Sequence, residues 1–343
     1  MLEHGGGIRR AAAQFGIAVE QWLDLSTGIN PQGWPVPPVP DHCWLRLPEE
    51  EDGLGQAAAG YYQSESLLAL AGTQQAITLL PRLRGPSKVA VLTPTYGEHA
   101  HCWRAAGHTV LEWEWPTLQL HWAACDVVVV VNPNNPTGGL LPVELLLSWR
   151  QQLQERGGWL VVDEAFMDAT PQQSLAPFCG LPGLLVLRSV GKFFGLAGAR
   201  CGFVLGDEVL LEALRRLAGP WSVCGASRWL VGAALQDQAW IARTRQLLPL
   251  HSQRLATLLQ AHRLPPDGGT PLFQWLSTPT AALIWHLLAQ QGILVRHFPQ
   301  WNALRFGLPG NEQGWLRLAA ALQQLSAQLV PFSSSEDHAH VTP

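Results

Sequence analysis

Lysine is scarce in this 343-residue sequence. Only Lys88 and Lys192 are present, so twenty of the 22 basic residues are arginine. Chemistry that needs a lysine amine therefore has two candidates. Charge is scarce as well: 14% of residues are charged against 47% apolar, which excludes disorder driven by charge and low hydrophobicity. A formal net charge of −4 removes the electrostatic basis for a nucleic-acid or membrane-surface partner. No run approaches the roughly 20 apolar residues that span a bilayer. Cys-x-x-Cys pairs are missing. Cys43, Cys102, Cys125, Cys179, Cys201 and Cys224 read as reduced small hydrophobes, and no metal site is expected. The opening MLEHGGGIRRAAAQFG has no apolar signal core, so the expectation is a soluble, cytoplasmic protein.

What is present is a series of short apolar runs ending in polar or turn residues: 67–71, 89–92, 127–131, 159–163, 184–188 and 202–205. Runs that are apolar on both faces and rich in Val and Leu suit a buried parallel sheet. Helical patterns at 73–83 and at 143–156, the latter opened by Pro142, lie between them. This alternation predicts an α/β fold with ligands at the carboxyl ends of the strands. Beyond it, a long helix over 240–263 leads through the breaker Leu264-Pro265-Pro266-Asp267-Gly268-Gly269 into short strand and helix patterns. The resulting organisation is an N-terminal arm or lid (1–45), a large domain (46–238), a smaller α+β domain (239–332) and a disordered tail (333–343).

Polar residues of chemical interest follow the strands. Gly72-Thr73-Gln74-Gln75 opens a helix, whose free N–H groups suit an anion, although taken alone such a site reads more readily as an ordinary N-cap. Asn132-Pro133-Asn134-Asn135-Pro136-Thr137-Gly138-Gly139 has turn chemistry and places Asn135 at the ligand edge of the sheet. Asp163 ends an apolar strand and must be paired or meet a cation. Lys192 sits in SVGKFFGLAGAR among Gly191, Phe193, Phe194 and Leu196, a poor setting for a surface lysine. Lys88, after Arg84-Gly85-Pro86-Ser87, is an ordinary surface turn. His99 and His101 read as satisfied or exposed side chains rather than metal ligands. His4-Gly5-Gly6-Gly7 mimics an oxyanion loop, but a serine hydrolase needs a G-x-S-x-G elbow, which is missing.

Taken together, AGTQQ, PTYGEH, NPNNPTG, VVDEAF, S-x-x-K and G-x-R, in this order, resemble the pyridoxal-phosphate-dependent fold-type I enzymes of the class I/II aminotransferase group. The resemblance implies pyridoxal 5'-phosphate as cofactor, a homodimer, and a large, mostly parallel sheet domain with a smaller α+β C-terminal domain. It implies Lys192 as the amine that condenses with the cofactor aldehyde and Asp163 as partner of the ring nitrogen. By the same resemblance Asn135 binds the ring 3-oxygen and Tyr96 stacks on the ring. Thr73, Gln74, Ser189 and Arg200 hold the phosphate, with Arg200 eight residues beyond Lys192. Phe166 stands where many members have tyrosine, and Leu47 where many place a tyrosine that reaches the neighbouring subunit.

The fold does not choose the reaction. HGGGIRRAA, LDLSTGINPQG, ILVRHF and ALRFGLPG resemble the threonine-phosphate decarboxylase branch, which converts O-phospho-L-threonine to (R)-1-amino-2-propanol O-2-phosphate in cobalamin biosynthesis. That likeness implies a phosphorylated amino acid substrate held by His4, Gly5, Gly28, Asn135, Arg296 and Arg305. Gly28 replaces an asparagine found in some members, leaving only backbone there. The alternative within the fold is a histidinol-phosphate-type aminotransferase.

Overall fold

The computed structural model describes residues 4–329, so the expected tail 333–343 lies outside the described residues. The strands are numbered in chain order: β1 Leu23–Leu25, β2 Leu67–Leu70, β3 Lys88–Leu92, β4 Thr109–Trp113, β5 Val127–Val131, β6 Trp159–Asp163, β7 Leu184–Ser189, β8 Gly202–Gly206, β9 Gly268–Thr270, β10 Phe273–Ser277, β11 Ile293–Phe298 and β12 Ala303–Gly307. They belong to two compact units. Among the described residues the larger comprises Gln32–Pro249 and Gly269–Leu272, and the smaller comprises 4–31, Leu250–Gly268 and 273–329. The segment 1–45, expected as an arm, thus divides: residues 32–45 group with the larger unit and 4–31 with the smaller.

The larger unit is built on a seven-stranded sheet of order β2-β8-β7-β6-β5-β3-β4. All five valines of β5 are buried, as are all five residues of β6, because helices cover both faces of a central parallel strand. On one face Ile77, Leu80, Trp103, Leu211 and Leu214 pack against Val89, Val127, Val161 and Leu187. One strand departs from the expected parallel run: β8 pairs antiparallel with both β2 and β7. Apolar periodicity carries burial but not strand direction, so the sequence pattern could not distinguish it. Since β8 opposes both neighbours, β2 runs in the same direction as β7. The carboxyl ends of β2, β7, β6, β5 and β3 therefore share one edge, where the amino end of β8 also lies.

In the smaller unit β1 pairs parallel with β11, β11 antiparallel with β12, and β12 antiparallel with β10. The helices Ile8–Phe15 and Ala281–Gln290 pack beside it through Ala11, Trp22, Ala289 and Leu294. No helix among the described residues is long and apolar enough to cross a membrane.

Candidate active site

The carboxyl edge of the larger sheet collects the motif residues. Leu70 and Ser189 both register against Gly202, which brings the ends of β2 and β7 to the start of β8. Gly72, at φ 75°, then opens the helix Thr73–Leu79. A side chain at Gly72 would put a Cβ 2.7 Å from Arg200 Nη2, and one at Gly202 would sit 2.8 Å from Thr73 N. Gly72 clears room for the Arg200 guanidinium, and Gly202 clears room for the first N–H of the helix. Arg200 itself is left-handed, φ 47° and ψ 52°, a conformation that costs a non-glycine residue about 1–3 kcal/mol and clusters at functional sites. Ser189 Oγ accepts from Gly191 N at 3.2 Å on the same edge.

Asp163 ends β6 and is buried. Ala165 N donates to its Oδ1 at 3.0 Å, and His99 Nε2 donates to its Oδ2 at 3.0 Å. An ionised carboxylate has about four acceptor positions, so room for another N–H donor remains. Beside His99, Tyr96 is fixed at its far end: its hydroxyl donates to Gln74 Oε1 at 3.0 Å, and Gln74 Nε2 donates to Glu98 Oε2 at 3.1 Å. Burial, then the Glu98 and Asp163 charges, push the Tyr96 phenol up to about 12, so the ring stays neutral at physiological pH. His99, expected to be satisfied or exposed, is satisfied by a partner 64 residues away. Adjacent elements bring the two together, and nothing in local spacing signals it.

Asn135 lies half-buried in a turn clamped on both sides. Leu141 N donates to Asn132 Oδ1 at 2.8 Å, and Asn134 Nδ2 donates to Pro94 O at 2.9 Å and Thr137 Oγ1 at 2.8 Å. The two lysines separate as expected. Lys88 is exposed at the start of β3, whereas Lys192 is half-buried with Nζ 5.5 Å from the Phe166 ring centroid. Its segment is anchored by Phe193 and Phe194, each 5.5 Å from the Trp240 ring, and by Trp34 N donating to Phe194 O at 2.8 Å.

Beneath this edge lies a charge network that sequence reasoning missed. Arg188 of β7 donates to Glu164 Oε2 and Asp168 Oδ1, both at 2.5 Å, with all three side chains buried. Leu175 N donates to Glu164 Oε1 at 2.7 Å. Burial pushes the Glu164 carboxyl up, and the adjacent Arg188 charge opposes that shift. An arginine closing the run Leu184–Leu187 was the available signal: a charge on a central strand requires opposite charges nearby.

The smaller unit carries the other expected residues. Arg296 and Arg305 register directly against each other across β11 and β12. Arg305 is buried, its guanidinium 5.0 Å from the Phe273 ring centroid, with Nη2 donating to Ser26 O at 2.7 Å. Burial and then the Arg296 charge hold its pKa down to about 9, while Asp24 opposes the shift. Two arginines opposed in register on neighbouring strands favour an anion nearby. Gly6 N donates to Ser26 Oγ at 2.8 Å, which places the exposed His4-Gly5 segment on the same unit as Arg305. Gly28 is buried and left-handed at φ 62°.

A profile of the family described as Aminotransferase class I and II matches residues 51–326. The chain belongs to that family. Within it, the chain is 52% identical to the threonine-phosphate decarboxylase of Pseudomonas aeruginosa over 322 residues, 94% of this chain and 97% of that one. It is 43% identical over 337 residues to the threonine-phosphate decarboxylase of a Sinorhizobium species, covering 94% and 98% of the two chains. Among solved structures it is similar to the histidinol-phosphate aminotransferase from Sinorhizobium meliloti in complex with pyridoxal-5'-phosphate, with a TM-score of 0.81, 20% identity and 96% of each chain covered. At that identity the likeness speaks for the fold alone: the class I and II aminotransferase architecture with its large, mostly parallel sheet.

The residues of the larger unit fit pyridoxal phosphate. Gly72 and Gly202 let the Arg200 guanidinium and the first N–H of the helix at Thr73 come close to the backbone, where any Cβ would collide with them. Asp163 is oriented and has acceptor capacity for a ring nitrogen, Tyr96 offers a neutral and fixed ring, and Lys192 offers a half-buried amine.

Proposed function

We propose that this protein is a pyridoxal-phosphate-dependent threonine-phosphate decarboxylase. It converts O-phospho-L-threonine to carbon dioxide and (R)-1-amino-2-propanol O-2-phosphate, a step of cobalamin biosynthesis carried out in the cytoplasm by a homodimer. The observation that carries this reading is likeness over almost the whole chain to two threonine-phosphate decarboxylases. The facing pair Arg296 and Arg305 supports it, because the substrate brings two anionic groups.

The cofactor is pyridoxal 5'-phosphate; when bound it supplies an aldehyde for amines and a ring that accepts the electron pair left at Cα. Arg200, Ser189 and the N–H groups of Thr73 and Gln74 hold its phosphate. Asp163 holds a proton on the ring nitrogen, with His99 and Ala165 N fixing the carboxylate. Asn135 donates to the 3-oxygen and Tyr96 covers one ring face. Arg305 and Arg296 receive the carboxylate and the phosphate of the substrate, and His4, Gly5 and Gly28 contact it. Lys192 delivers a proton to Cα once carbon dioxide has left. A proton placed by Lys192 at Cα yields the amine product, with carbon dioxide as the only group lost.

Pairing of two copies is supported by exposed apolar side chains around the segment that carries Leu47: Trp44, Leu45, Leu47 and Trp221. Sedimentation at twice the 37.5 kDa chain mass is the expected result. The reaction itself is tested with the cofactor-loaded protein and O-phospho-L-threonine, with no oxo-acid added. Stoichiometric carbon dioxide release is expected. Glutamate formation from histidinol phosphate and 2-oxoglutarate, without carbon dioxide from phosphothreonine, would assign the aminotransferase instead.

A further inference from the structure

Ser26, one residue past β1 and only 2% exposed, is a hub of hydrogen bonds in the smaller unit. Its N–H and its hydroxyl both donate to Asp24 Oδ1, at 2.9 and 2.6 Å. Its Oγ accepts from Gly6 N at 2.8 Å, and its carbonyl accepts from Arg305 Nη2 at 2.7 Å. An ionised Asp24 can only accept, so the hydroxyl hydrogen points at it and an Oγ lone pair is left for Gly6. The glycines are fitted to this seat. A Cβ at Gly5 would collide with the Ser26 carbonyl oxygen and come within 3.3 Å of Thr27 Cα, and Gly6 adopts φ 81°.

Strand register explains why this position is special. The last paired residues of β1 and β11 are Leu25 and Val295, so Ser26, just past β1, follows Leu25 as Arg296 follows Val295, and Arg296 registers against Arg305. Arg296 and Arg305 therefore share one level of β11 and β12, with Ser26 following immediately on the end of β1. The glycine arm is attached to Ser26 through Gly6.

We propose that Ser26 is a positioning residue for substrate binding: its hydroxyl holds the arm and its carbonyl holds the Arg305 guanidinium, so that both meet the substrate's anionic groups as one unit. Asp24 sets the direction of the Ser26 hydroxyl. The inference rests on the reading of the arm and Arg305 as the anion site, and it adds a residue that touches no substrate atom.

The test compares full-length, cofactor-loaded wild type with Ser26→Ala. Removing the acceptor of Gly6 N is expected to raise KM for O-phospho-L-threonine about tenfold, the scale of one hydrogen bond, with kcat within about twofold. Affinity for inorganic phosphate, measured by calorimetry without turnover, falls by a similar factor. Hydrogen exchange at Gly6 is slowed in wild type and accelerates in Ser26→Ala, while the visible absorbance of the bound cofactor is unchanged. A merely structural serine would instead lower cofactor binding and stability without splitting KM from kcat. An unchanged KM and phosphate affinity in Ser26→Ala overturns the proposal, as does a wild-type Gly6 amide exchanging at the rate of an unstructured chain, a result that needs no variant. If wild type fails to decarboxylate phosphothreonine but phosphate affinity and Gly6 exchange still follow Ser26, the decarboxylase reading fails and the coupling stands.

Discussion

Both oxygens of Asp163 are oriented before any ligand arrives, one by Ala165 N and the other by His99 Nε2. The two donors do different work. Ala165 N is backbone and comes with the turn after β6, whereas His99 is a side chain that can be removed. Replacing the carboxylate by an amide in Asp163→Asn keeps the shape and removes the charge that a protonated ring nitrogen needs. The expected loss is about 100-fold in kcat, the size seen when one preorganised electrostatic group is removed. His99→Phe leaves Asp163 in place but strips one donor from a buried oxygen, and cofactor affinity is expected to fall about tenfold. Steady-state kinetics and cofactor titration of the two variants check the order: a His99→Phe defect in kcat as large as that of Asp163→Asn would contradict it. At this scale the sequence was most legible where a residue type was rare or misplaced. Lys192 stood out because only one other lysine exists and because two phenylalanines follow it. His99 and Ser26 did not, because the first depends on a partner far along the chain and the second acts largely through its backbone and a single hydroxyl.

The elements that carry the site are tied together from below. Arg188 on β7 grips Glu164 just past β6 and Asp168 a turn further on, so the strand ends bearing Ser189 and Asp163 are clamped to each other. Buried ion pairs contribute little net stability compared with apolar packing, but breaking one leaves an uncompensated charge. Arg188→Met is expected to cost about 3–5 kcal/mol in urea unfolding, because two buried carboxylates lose their cation. Double replacement, Arg188→Met with Glu164→Gln, is expected to recover part of that loss. A single variant as stable as wild type would contradict the clamp. Among the elements themselves, β5 and β6 were legible as unbroken apolar runs, since strands covered on both faces show no alternation. β4 was not: it is an edge strand of the sheet, partly exposed along its length, with Glu112 interrupting the apolar pattern. β1 escaped because three residues are too few to show a period.

For the whole molecule, the order of motifs along the chain carried more than any one of them. Each loop after a strand has a bland reading as a cap or a turn, yet the sheet order brings the loops after β2, β3, β5, β6 and β7 to one edge, and that convergence gives them a common purpose. The direction of β8 and the division of residues 1–45 between two units were beyond periodicity, because both depend on pairing between distant segments. The proposed chemistry depends throughout on which amine holds the cofactor. Reducing the protein with borohydride after incubation with pyridoxal phosphate, then digesting it and mapping the modified peptide by mass spectrometry, tests this directly. The pyridoxyl group is expected on Lys192 and absent from Lys88; modification of Lys88 alone, or of neither lysine at saturating cofactor, would contradict the account.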